Sequence, residues 1–406
     1  MYISKKKIVV ILSLLIAVTL VLVMMNPSGI AIARVLPKAQ AATTLNSPTV
    51  NPDRTVTFSL TAPQATDVKL NLQNQTGPSP AADAMDMTMD ASGVWSITVG
   101  PLAPDMYGYD FIVNGVKILD PTNTYSGPGT VRAVWAGDPG TWSDVNAWSY
   151  VTVPGSAADF FADAAVPHGA VATVRYYSNL AQTERMMEVY TPPGYNHDNR
   201  RYPVLYIMHG AGGNETDWII NMRANFILDN LIAQGKAVPM ILVSPNGNDA
   251  TIAINGPITE DNFSEELLGS IVPYIEENYR TAPGAKNRAL AGLSLGGFWT
   301  LDTLLLHPGE FSYLGVFSSG WFSQAFRDDL VQNHSDLLTN PAINKDTKLL
   351  WITVGDPTDI AYTANYATLA ILDQYHIKYT FVQGTGGHVW GVWRHNLFDF
   401  APLLFK

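Results

Sequence analysis

One serine of this chain lies at a spacing that nucleophilic chemistry uses. Ser294 stands in the sequence Gly-Leu-Ser-Leu-Gly, between Gly292 and Gly296, directly after an apolar run of strand length. Glycines at these two positions permit a sharp turn because they add no side chain to it. A serine on such a turn exposes its hydroxyl, which attacks a carbonyl carbon when a base activates it. The alternative interpretation is an ordinary flexible turn.

The base that such a serine needs is usually a histidine oriented by a carboxylate. The histidines that follow Ser294 by more than one helix length are His334, His376, His388 and His395. Our candidate is His388, because it closely follows a strand-like run and a loop there would hold it above the sheet edge. The alternative for His388 is a turn histidine whose ring bonds only backbone groups.

The orienting carboxylate is expected after the strand that precedes the strand of the histidine. The sequence Gly-Asp-Pro-Thr-Asp offers Asp356 and Asp359 there. We favour Asp359, which lies further from the strand end, whereas an aspartate before proline often bonds its own turn backbone. Both carboxylates stay open as candidates.

Two backbone amides are candidates for stabilising negative charge on the substrate oxygen. Fixed N–H donors serve this purpose in acyl transfer. They are expected at Leu295, which follows the serine, and at Ala211, in the loop 209–213 after an earlier strand. His209 is interpreted as a residue that shapes this loop. No clustered metal ligands and no phosphate-binding loop are evident, so we expect neither a metal nor a cofactor.

The elements that must position these residues alternate along the chain. Beyond Val166, continuous apolar runs of strand length alternate with helical stretches, which predicts an α/β domain with a mainly parallel sheet. A strand that ends at Gly-x-Ser-x-Gly and continues directly as a helix is typical of the α/β-hydrolase fold, as is the chain order serine, acid, histidine.

The preceding region, from about Ser47 to Asp120, has a different pattern. Its short alternating runs are separated by turn residues and predict a small all-β, immunoglobulin-like sandwich. Tyr107, Tyr109 and Phe111 would point to one face of a strand. We favour core positions for these rings, with stacking on sugars as the alternative.

The first segment has the pattern of an export signal. Lys5 to Lys7 precede an apolar run over 8–25, and Ala39-Gln40-Ala41 offers a cleavage site. The run is also long enough to span a bilayer as a membrane tether. We therefore expect a protein that is secreted or held at the cell surface. The predicted organisation is a signal peptide or anchor over 1–41, a β-sandwich over 42–120, a linker over 121–165 and a catalytic domain over 166–406.

Composition limits the function classes. Of the 406 residues, 47% are apolar and 15% are charged, which is typical of a globular protein with a sizeable core. A net charge of −11 argues against nucleic acid as a partner, because binding to phosphates needs clustered Lys and Arg. The absence of cysteine excludes disulfides and thiolate catalysis.

The catalytic motifs together resemble carbohydrate esterase family 1, a group of esterase D-like α/β hydrolases that includes feruloyl and acetylxylan esterases. The resemblance spans about Val166 to Trp393 and rests on "VYTPPGYNHDNRRYPVLYIMHGAGGNETDW", "AGLSLGG", "VGDPTD" and "GGHVWGVWR". It implies a triad of Ser294, Asp359 and His388. The family commonly has Gly-x-x-Asp after the acid's strand, and here the spacing from Gly355 is one residue longer, which keeps Asp356 open.

The sandwich region, with "FSLTAPQATDVKL" and "GVWSITVGPLAPDMYGYDFIVNG", resembles early-set modules related to carbohydrate-binding family 48. The resemblances imply a serine carboxylesterase that hydrolyses acyl esters on plant cell-wall polysaccharides or oligosaccharides, with feruloyl favoured over acetyl esters, and the N-terminal pattern adds the expectation of export. Trp218, Trp390 and Trp393 lie beside the motif residues and are candidates for stacking on an aromatic acyl group or a sugar, with core packing an equal alternative for each. Other readings are an acetylxylan esterase, an enterochelin-type siderophore esterase, an acyltransferase and an inactive carbohydrate-binding module.

Overall fold

The structure, a computed structural model, describes residues 45–73, 84–123, 125–131, 145–248, 258–260 and 262–406. The apolar run 8–25 and the candidate cleavage site at Ala39 to Ala41 lie outside the described residues. Within the described ranges, no helix combines the length and apolar character needed to cross a membrane.

Two antiparallel sheets form the N-terminal sandwich, as the alternating runs predict. The first sheet has the order β1-β2-β6-β5, and the second has the order β4-β3-β7-β10-β9 with β8 paired to β7. The strands are β1 Thr49–Val50, β2 Val56–Thr61, β3 Val68–Gln73, β4 Met85–Asp86, β5 Thr88–Met89, β6 Val94–Val99, β7 Asp105–Val113, β8 Val116–Ile118, β9 Ser126–Val131 and β10 Val145–Val153.

The aromatic residues of β7 fill the space between these two sheets. Tyr107, Tyr109 and Phe111 are all buried, and the Tyr109 ring lies 4.6 Å from that of Phe58 on the facing sheet. The hydroxyl of Tyr109 donates to the buried carboxylate of Asp120 at 2.8 Å. The interpretation of the three rings as core residues therefore agrees with their burial, and stacking on sugars does not.

The structure differs from the sequence analysis over the range expected to be a linker, 121–165. This range supplies β9 and β10, and β10 pairs with β7 from Ser149 opposite Tyr109 to Val153 opposite Asp105. These strands complete the second sheet of the sandwich. Their contribution was hidden because the surrounding Gly, Pro and small residues resemble a loop, whereas the pairing partner lies some 40 residues earlier in the chain.

An eight-stranded sheet forms the framework of the C-terminal region, with the order β11-β12-β14-β13-β15-β16-β17-β18. β11 and β12 are antiparallel, and the strands from β14 to β18 run parallel to one another. The strands are β11 Ala170–Ser178, β12 Thr183–Thr191, β13 Val204–Met208, β14 Ile241–Pro245, β15 Arg288–Leu293, β16 Tyr313–Phe317, β17 Leu349–Val354 and β18 Thr380–Gln383. The predicted α/β domain with a mainly parallel sheet is confirmed.

Helices cover both faces of this sheet. They are α1 Asp217–Ile220, α2 Ala224–Ala233, α3 Asn262–Glu266, α4 Val272–Asn278, α5 Leu295–Leu306, α6 Gln324–Asn333, α7 Ser335–Leu338, α8 Pro341–Asp346, α9 Tyr362–Gln374 and α10 Trp390–Phe400. A π-helical turn, Leu267–Ile271, joins α3 to α4. In β13, Val204 and Tyr206 belong to one core and Leu205 and Ile207 to the other, because successive side chains point to opposite faces.

The second of these cores is shared with the sandwich. Met106 and Tyr150, from β7 and β10, lie in the same buried cluster as Leu205 of the large sheet, Ile227 of α2 and Leu397 of α10. Residues 46–406 accordingly form one compact unit. The sandwich therefore packs directly on the face of the large sheet that carries α2 and α10.

Candidate active site

Ser294 occupies the sharp turn that its flanking glycines predict. It lies between the end of β15 and the start of α5, with φ 50° and ψ −118°, a backbone conformation that non-glycine residues rarely adopt. A Cβ on Gly292 would lie 2.3 Å from the backbone carbonyl carbon of Gly296, and a Cβ on Gly296 would lie 2.7 Å from the carbonyl oxygen of His209. Only glycine fits at both positions, so the motif fixes the turn.

His388 and Asp359 form a hydrogen-bonded pair. The imidazole Nδ1 lies 2.8 Å from Oδ1 of Asp359, whose side chain is fully buried while that of His388 is 14% exposed. The same carboxylate accepts the backbone N–H groups of Ala361 at 2.9 Å and Gly355 at 3.1 Å. An ionised carboxylate is an acceptor only, so Nδ1 carries the proton and Nε2 is left free to act as a base.

The charge state of Asp359 follows from competing effects. Burial opposes ionisation and raises the pKa, but the hydrogen bonds to the carboxylate, led by the one from His388, and the charge attraction of that ring together lower it by more. The pKa of Asp359 therefore lies below its ordinary value. A charged carboxylate at this position stabilises the imidazolium that forms when His388 takes up a proton.

The alternative acid, Asp356, bonds its own turn, as expected of an aspartate before proline. Its Oδ1 accepts from the backbone N–H of Thr358 at 2.9 Å and its Oδ2 accepts from the N–H of Gly386 at 2.8 Å. Asp356 thus anchors the loop that carries His388 without touching the imidazole. The structure brings Asp359, and not Asp356, to the histidine, and the longer spacing after Gly355 is accommodated by this turn.

The loops that carry the three candidate catalytic residues meet at one edge of the sheet. Because β15 to β18 are parallel neighbours, the loops after β15, β17 and β18 all leave the sheet at the carboxyl ends of the strands. Ser319, after β16, donates from Oγ to the carbonyl oxygen of Ser294 at 2.5 Å, and Asn365 of α9 donates to the carbonyl oxygen of Ser319 at 2.7 Å. Ser319 and Asn365 lie in no local motif, so their sequence context did not mark them as candidates.

The loop 209–213 lies against the serine turn. A Cβ on Gly210 would be 3.2 Å from that of Ser294, so the two backbones approach closely. Ala211 is exposed in this loop, and Leu295 is the first residue of α5, where the N–H has no acceptor within the helix. Both predicted donors are thus located beside Ser294 at the sheet edge.

His209 is a neutral, structural histidine. It is fully buried, its Nδ1 donates to the carbonyl oxygen of Gly210 at 2.7 Å, and its Nε2 accepts the N–H of Gly247 at 2.8 Å. This pair of bonds requires one protonated and one bare nitrogen. Burial lowers the pKa of His209 to about 4. These contacts agree with its interpretation as a loop-shaping residue.

The three tryptophans predicted to contact substrate have different environments. Trp218 is fully buried and donates to the carbonyl oxygen of Met208 at 2.9 Å, so it is a core residue that substrate does not reach. Its position in the motif region had obscured this. Trp393 is 6% exposed and packs edge-on against His388, with ring centroids 4.9 Å apart. Trp390 is partly exposed at the start of α10 and keeps its substrate-binding role as a prediction.

The sheet order and the serine turn define an α/β-hydrolase fold. Residues 178–404 match the family model described as putative esterase, and residues 47–128 match that of carbohydrate-binding module 48, the isoamylase N-terminal domain. The chain belongs to this esterase family and carries a module of the family 48 type at its N-terminal side. Both resemblances drawn from the motifs are confirmed.

Curated relatives and solved structures are similar to this chain over different lengths. An endo-1,4-β-xylanase/feruloyl esterase of Xylanibacter ruminicola is 33% identical over 283 residues, which are 68% of this chain and 36% of that protein. A ferulic acid esterase structure from Anaeromyces mucronatus has a TM-score of 0.53 at 23% identity, covering 61% of this chain and 95% of that one. The enterochelin esterase structure of Shigella flexneri has a TM-score of 0.58 at 17% identity, covering 87% and 92% respectively. The chain thus spans about a third of the length of the first relative.

Proposed function

We propose that this chain is a serine carboxylesterase that releases feruloyl groups from sugar hydroxyls of plant cell-wall polysaccharides. The observation that carries the proposal is the hydrogen-bonded pair of His388 and Asp359 at the sheet edge where Ser294 occupies its strained turn. The match to the esterase family supports ester hydrolysis, and the similarity to a xylanase/feruloyl esterase supports the choice of acyl group and polymer.

The proposed reaction proceeds through an acyl-enzyme. Ser294 Oγ attacks the ester carbonyl carbon while His388 Nε2 takes its proton, and the N–H groups of Leu295 and Ala211 stabilise the resulting oxyanion. The bond to the sugar oxygen then breaks, and the imidazolium gives its proton to that oxygen. Water, deprotonated by His388, attacks the acyl-enzyme and releases the carboxylic acid, which restores the Ser294 hydroxyl.

The first test compares ester substrates on the full chain. Methyl ferulate should be hydrolysed with higher kcat/KM than methyl acetate, and feruloylated arabinoxylan with higher kcat/KM than acetylated xylan, so that the esters of each comparison have the same kind of leaving group. Ser294→Ala should reduce kcat on every substrate by at least about 10⁴-fold, because the acyl-enzyme no longer forms. Ser92→Ala, at an exposed serine of the sandwich, is the matched control and should change kcat by less than about two-fold. Faster turnover of acetyl than of feruloyl esters would exclude the acyl group we propose, and unchanged turnover by Ser294→Ala would exclude this nucleophile.

A second candidate function is hydrolysis of a catechol siderophore ester. It is favoured by one observation, the fold similarity to an enterochelin esterase, which covers 87% of this chain and therefore extends well beyond the 178–404 esterase match. The discriminating assay offers a cyclic triester of 2,3-dihydroxybenzoylserine in parallel with methyl ferulate. A kcat/KM higher for the triester would favour this second function.

We further propose that the protein is exported and acts at the outer side of the cytoplasmic membrane. Support comes from Lys5 to Lys7 and the apolar run 8–25. Expression of the full chain in a bacterial host, followed by fractionation, should recover esterase activity outside the cytoplasm. Esterase activity that becomes soluble after a high-salt wash of the membranes indicates a cleaved signal, whereas activity that stays in the membrane fraction indicates a retained tether. Activity confined to the cytoplasm would refute export.

A further inference from the structure

Two helices lie next to the loops that carry the proposed base and one of the two proposed oxyanion donors, Ala211. His388 stands just before α10, and the loop 209–213 stands just before α1. A shift of either helix relative to the large sheet moves the imidazole or the Ala211 N–H with it. Misplacement by about 1 Å is enough to cost roughly 10²-fold in rate, so whatever holds these helices influences catalysis.

Arg394 of α10 connects both helices to the sandwich. Its side chain is fully buried, and its Nη2 donates to the carboxylate of Asp105 at the start of β7. Its Nη1 donates at 3.0 Å to the carbonyl oxygen of Asn221, the residue that ends α1. The guanidinium also lies over the ring of Phe161, 4.6 Å from its centroid. One side chain thus contacts α1, α10 and the sandwich.

Tyr150 of β10 makes a second connection to the same helices. Its hydroxyl donates to Oδ1 of Asn221 at 2.5 Å, and its ring centroid lies 6.5 Å from that of Trp390 in α10. Asn221 in turn donates to Asp217 Oδ1 at 2.9 Å, and a Cβ on Gly213 would lie 2.2 Å from the other oxygen of Asp217. The contacts therefore run from β10 through α1 to the end of the loop 209–213.

An ion pair at this point, with the guanidinium fully buried and the Asp105 side chain 13% exposed, is poorly explained by stability alone. Removing both charges from water opposes the attraction between them, so a pair of apolar residues of similar size often gives equal stability. The pair fixes the relative orientation of the groups that it joins, because the guanidinium presents its N–H groups in a fixed plane and binds two acceptors at once. The two acceptors here belong to different modules, Asp105 to the sandwich and Asn221 to the esterase domain.

We propose that Asp105 and Arg394 are positioning residues through which the sandwich holds the oxyanion loop and His388 in their working arrangement. This inference rests on the proposed esterase function. Neither side chain contacts the proposed nucleophile or base, so their effect on the reaction passes through α1 and α10. The sandwich is then a structural part of the active site in addition to any role in binding polysaccharide.

The test uses the full chain and compares Asp105→Asn with Asp110→Asn. Asp110 is the matched control because it is a buried aspartate paired with Lys117 at 3.0 Å, and its partners Lys117 and Asn71 both belong to the sandwich. Asp105→Asn should lower kcat on methyl ferulate by about 10-fold to 100-fold with KM changed by less than about two-fold. Asp110→Asn should leave kcat within about two-fold, whatever its effect on Tm.

Amide hydrogen exchange gives a readout that does not depend on turnover. In Asp105→Asn, residues 209–222 and 386–394 should both exchange faster, and in Asp110→Asn neither should. Unchanged exchange in both segments would overturn the proposal. If the wild type hydrolyses no ester while both segments respond to Asp105→Asn, the proposed function fails and the mechanical link stands.

A double variant separates positioning from general destabilisation. Asp105→Asn leaves the Arg394 charge buried without its partner, whereas Asp105→Asn combined with Arg394→Met removes both charges. The double variant should recover Tm relative to Asp105→Asn but keep the lowered kcat, because the connection from Asp105 through Arg394 to Asn221 is absent in both variants. Recovery of kcat together with Tm would show that the pair acts only on stability and would contradict the positioning role.

Discussion

At the scale of single residues, Asp359 and Asp356 make a matched pair of carboxylates in one loop. Only Asp359 bonds His388 Nδ1, at 2.8 Å, while Asp356 bonds the backbone of Thr358 and Gly386. Asp359→Asn should lower kcat at neutral pH by about 10³-fold to 10⁴-fold, because an amide can hold the wrong tautomer of the imidazole and no longer stabilises its positive form. Asp356→Asn should lower kcat by less than about 10-fold. Steady-state kinetics on methyl ferulate measure kcat for both variants. A larger loss of kcat in Asp356→Asn than in Asp359→Asn would assign the orienting carboxylate to Asp356.

The burial of His209 leads us to predict that the free energy of unfolding depends on pH. Its pKa is lowered from 6.5 to about 4 by burial, so protonation favours the unfolded chain. The stabilising contribution of the neutral ring is complete above pH 6.5 and is lost progressively as the pH falls from 6.5 towards about 4. At about 1.4 kcal/mol per pH unit, this amounts to roughly 3 kcal/mol across the window.

The measurement is the free energy of unfolding in urea at pH 4.5 to 7.5 for the wild type and His209→Gln. Glutamine has a donor and an acceptor but does not titrate. The wild type should have the larger free energy of unfolding at pH 7.5, and the difference in free energy between the two proteins should become smaller towards pH 4.5. Parallel curves for the two proteins would show that His209 is not held neutral in the folded chain.

At the scale of elements, the corner between β15 and α5 depends on two backbones in contact. A Cβ on Gly296 would lie 2.7 Å from the carbonyl oxygens of both Met208 and His209, so Gly296→Ala must displace the loop 209–213 or the serine turn. We expect a loss of kcat of at least about 10²-fold and a loss of stability of about 1–3 kcal/mol.

The control for this variant is Gly269→Ala. Gly269 lies in the π-helical turn before α4, and a Cβ there meets nothing within 4 Å. Alanine is favoured over glycine in a helix by up to about 1 kcal/mol, so Gly269→Ala should keep or raise Tm and leave kcat unchanged. Thermal unfolding and ester kinetics on both variants test the pair. An active Gly296→Ala would mean that the corner tolerates a wider turn than its geometry indicates.

These elements also show what the sequence was able to predict. Ser294 lies directly beyond β15, and Asp359 and His388 lie five residues beyond the ends of β17 and β18. Parallel strands deliver such residues to one edge of a sheet, so local patterns were sufficient to propose the three as candidates. β9 and β10 were missed because β10 pairs with β7, a distant strand in the sequence, and β9 pairs with β10. Trp218 was predicted to contact substrate because it lies near a motif in the sequence, but this proximity does not indicate which side of an element faces the core.

The contacts between the sandwich and the esterase domain could not be predicted from the sequence for a related reason. Arg394 is separated from Asp105 by 289 positions, and nothing near either residue marks it as half of a pair. A charged residue in a largely apolar helix such as α10 predicts a solvent-exposed position, because charged side chains are rarely buried without a partner. The two residues can be identified as a pair only from the folded chain, in which the sandwich packs on the large sheet.

At the scale of the whole molecule, the shared core makes the esterase domain depend on the sandwich. Tyr150 and Phe161 are buried in the same cluster as Trp218, Leu228 and the helix α10. A chain that begins at Val166 would expose this apolar face to water and leave the Arg394 guanidinium without Asp105. Each large apolar contact contributes about 1.5–3 kcal/mol, and a domain of this size loses about 2–4 °C of Tm per kcal/mol.

We therefore expect the chain from Val166 onwards to unfold at least about 10 °C below the chain from Asn46 onwards, and to aggregate because its uncovered face is apolar. Differential scanning calorimetry and light scattering at equal concentration measure the two effects. The control is a chain from Asn46 carrying Lys69→Ala, which removes an exposed pair with Asp86 in the sandwich and should shift Tm by only a few degrees. Equal Tm and solubility for the chain from Val166 would show that the esterase domain is stable alone, in which case the contacts of Tyr150 and Arg394 would matter for orientation only.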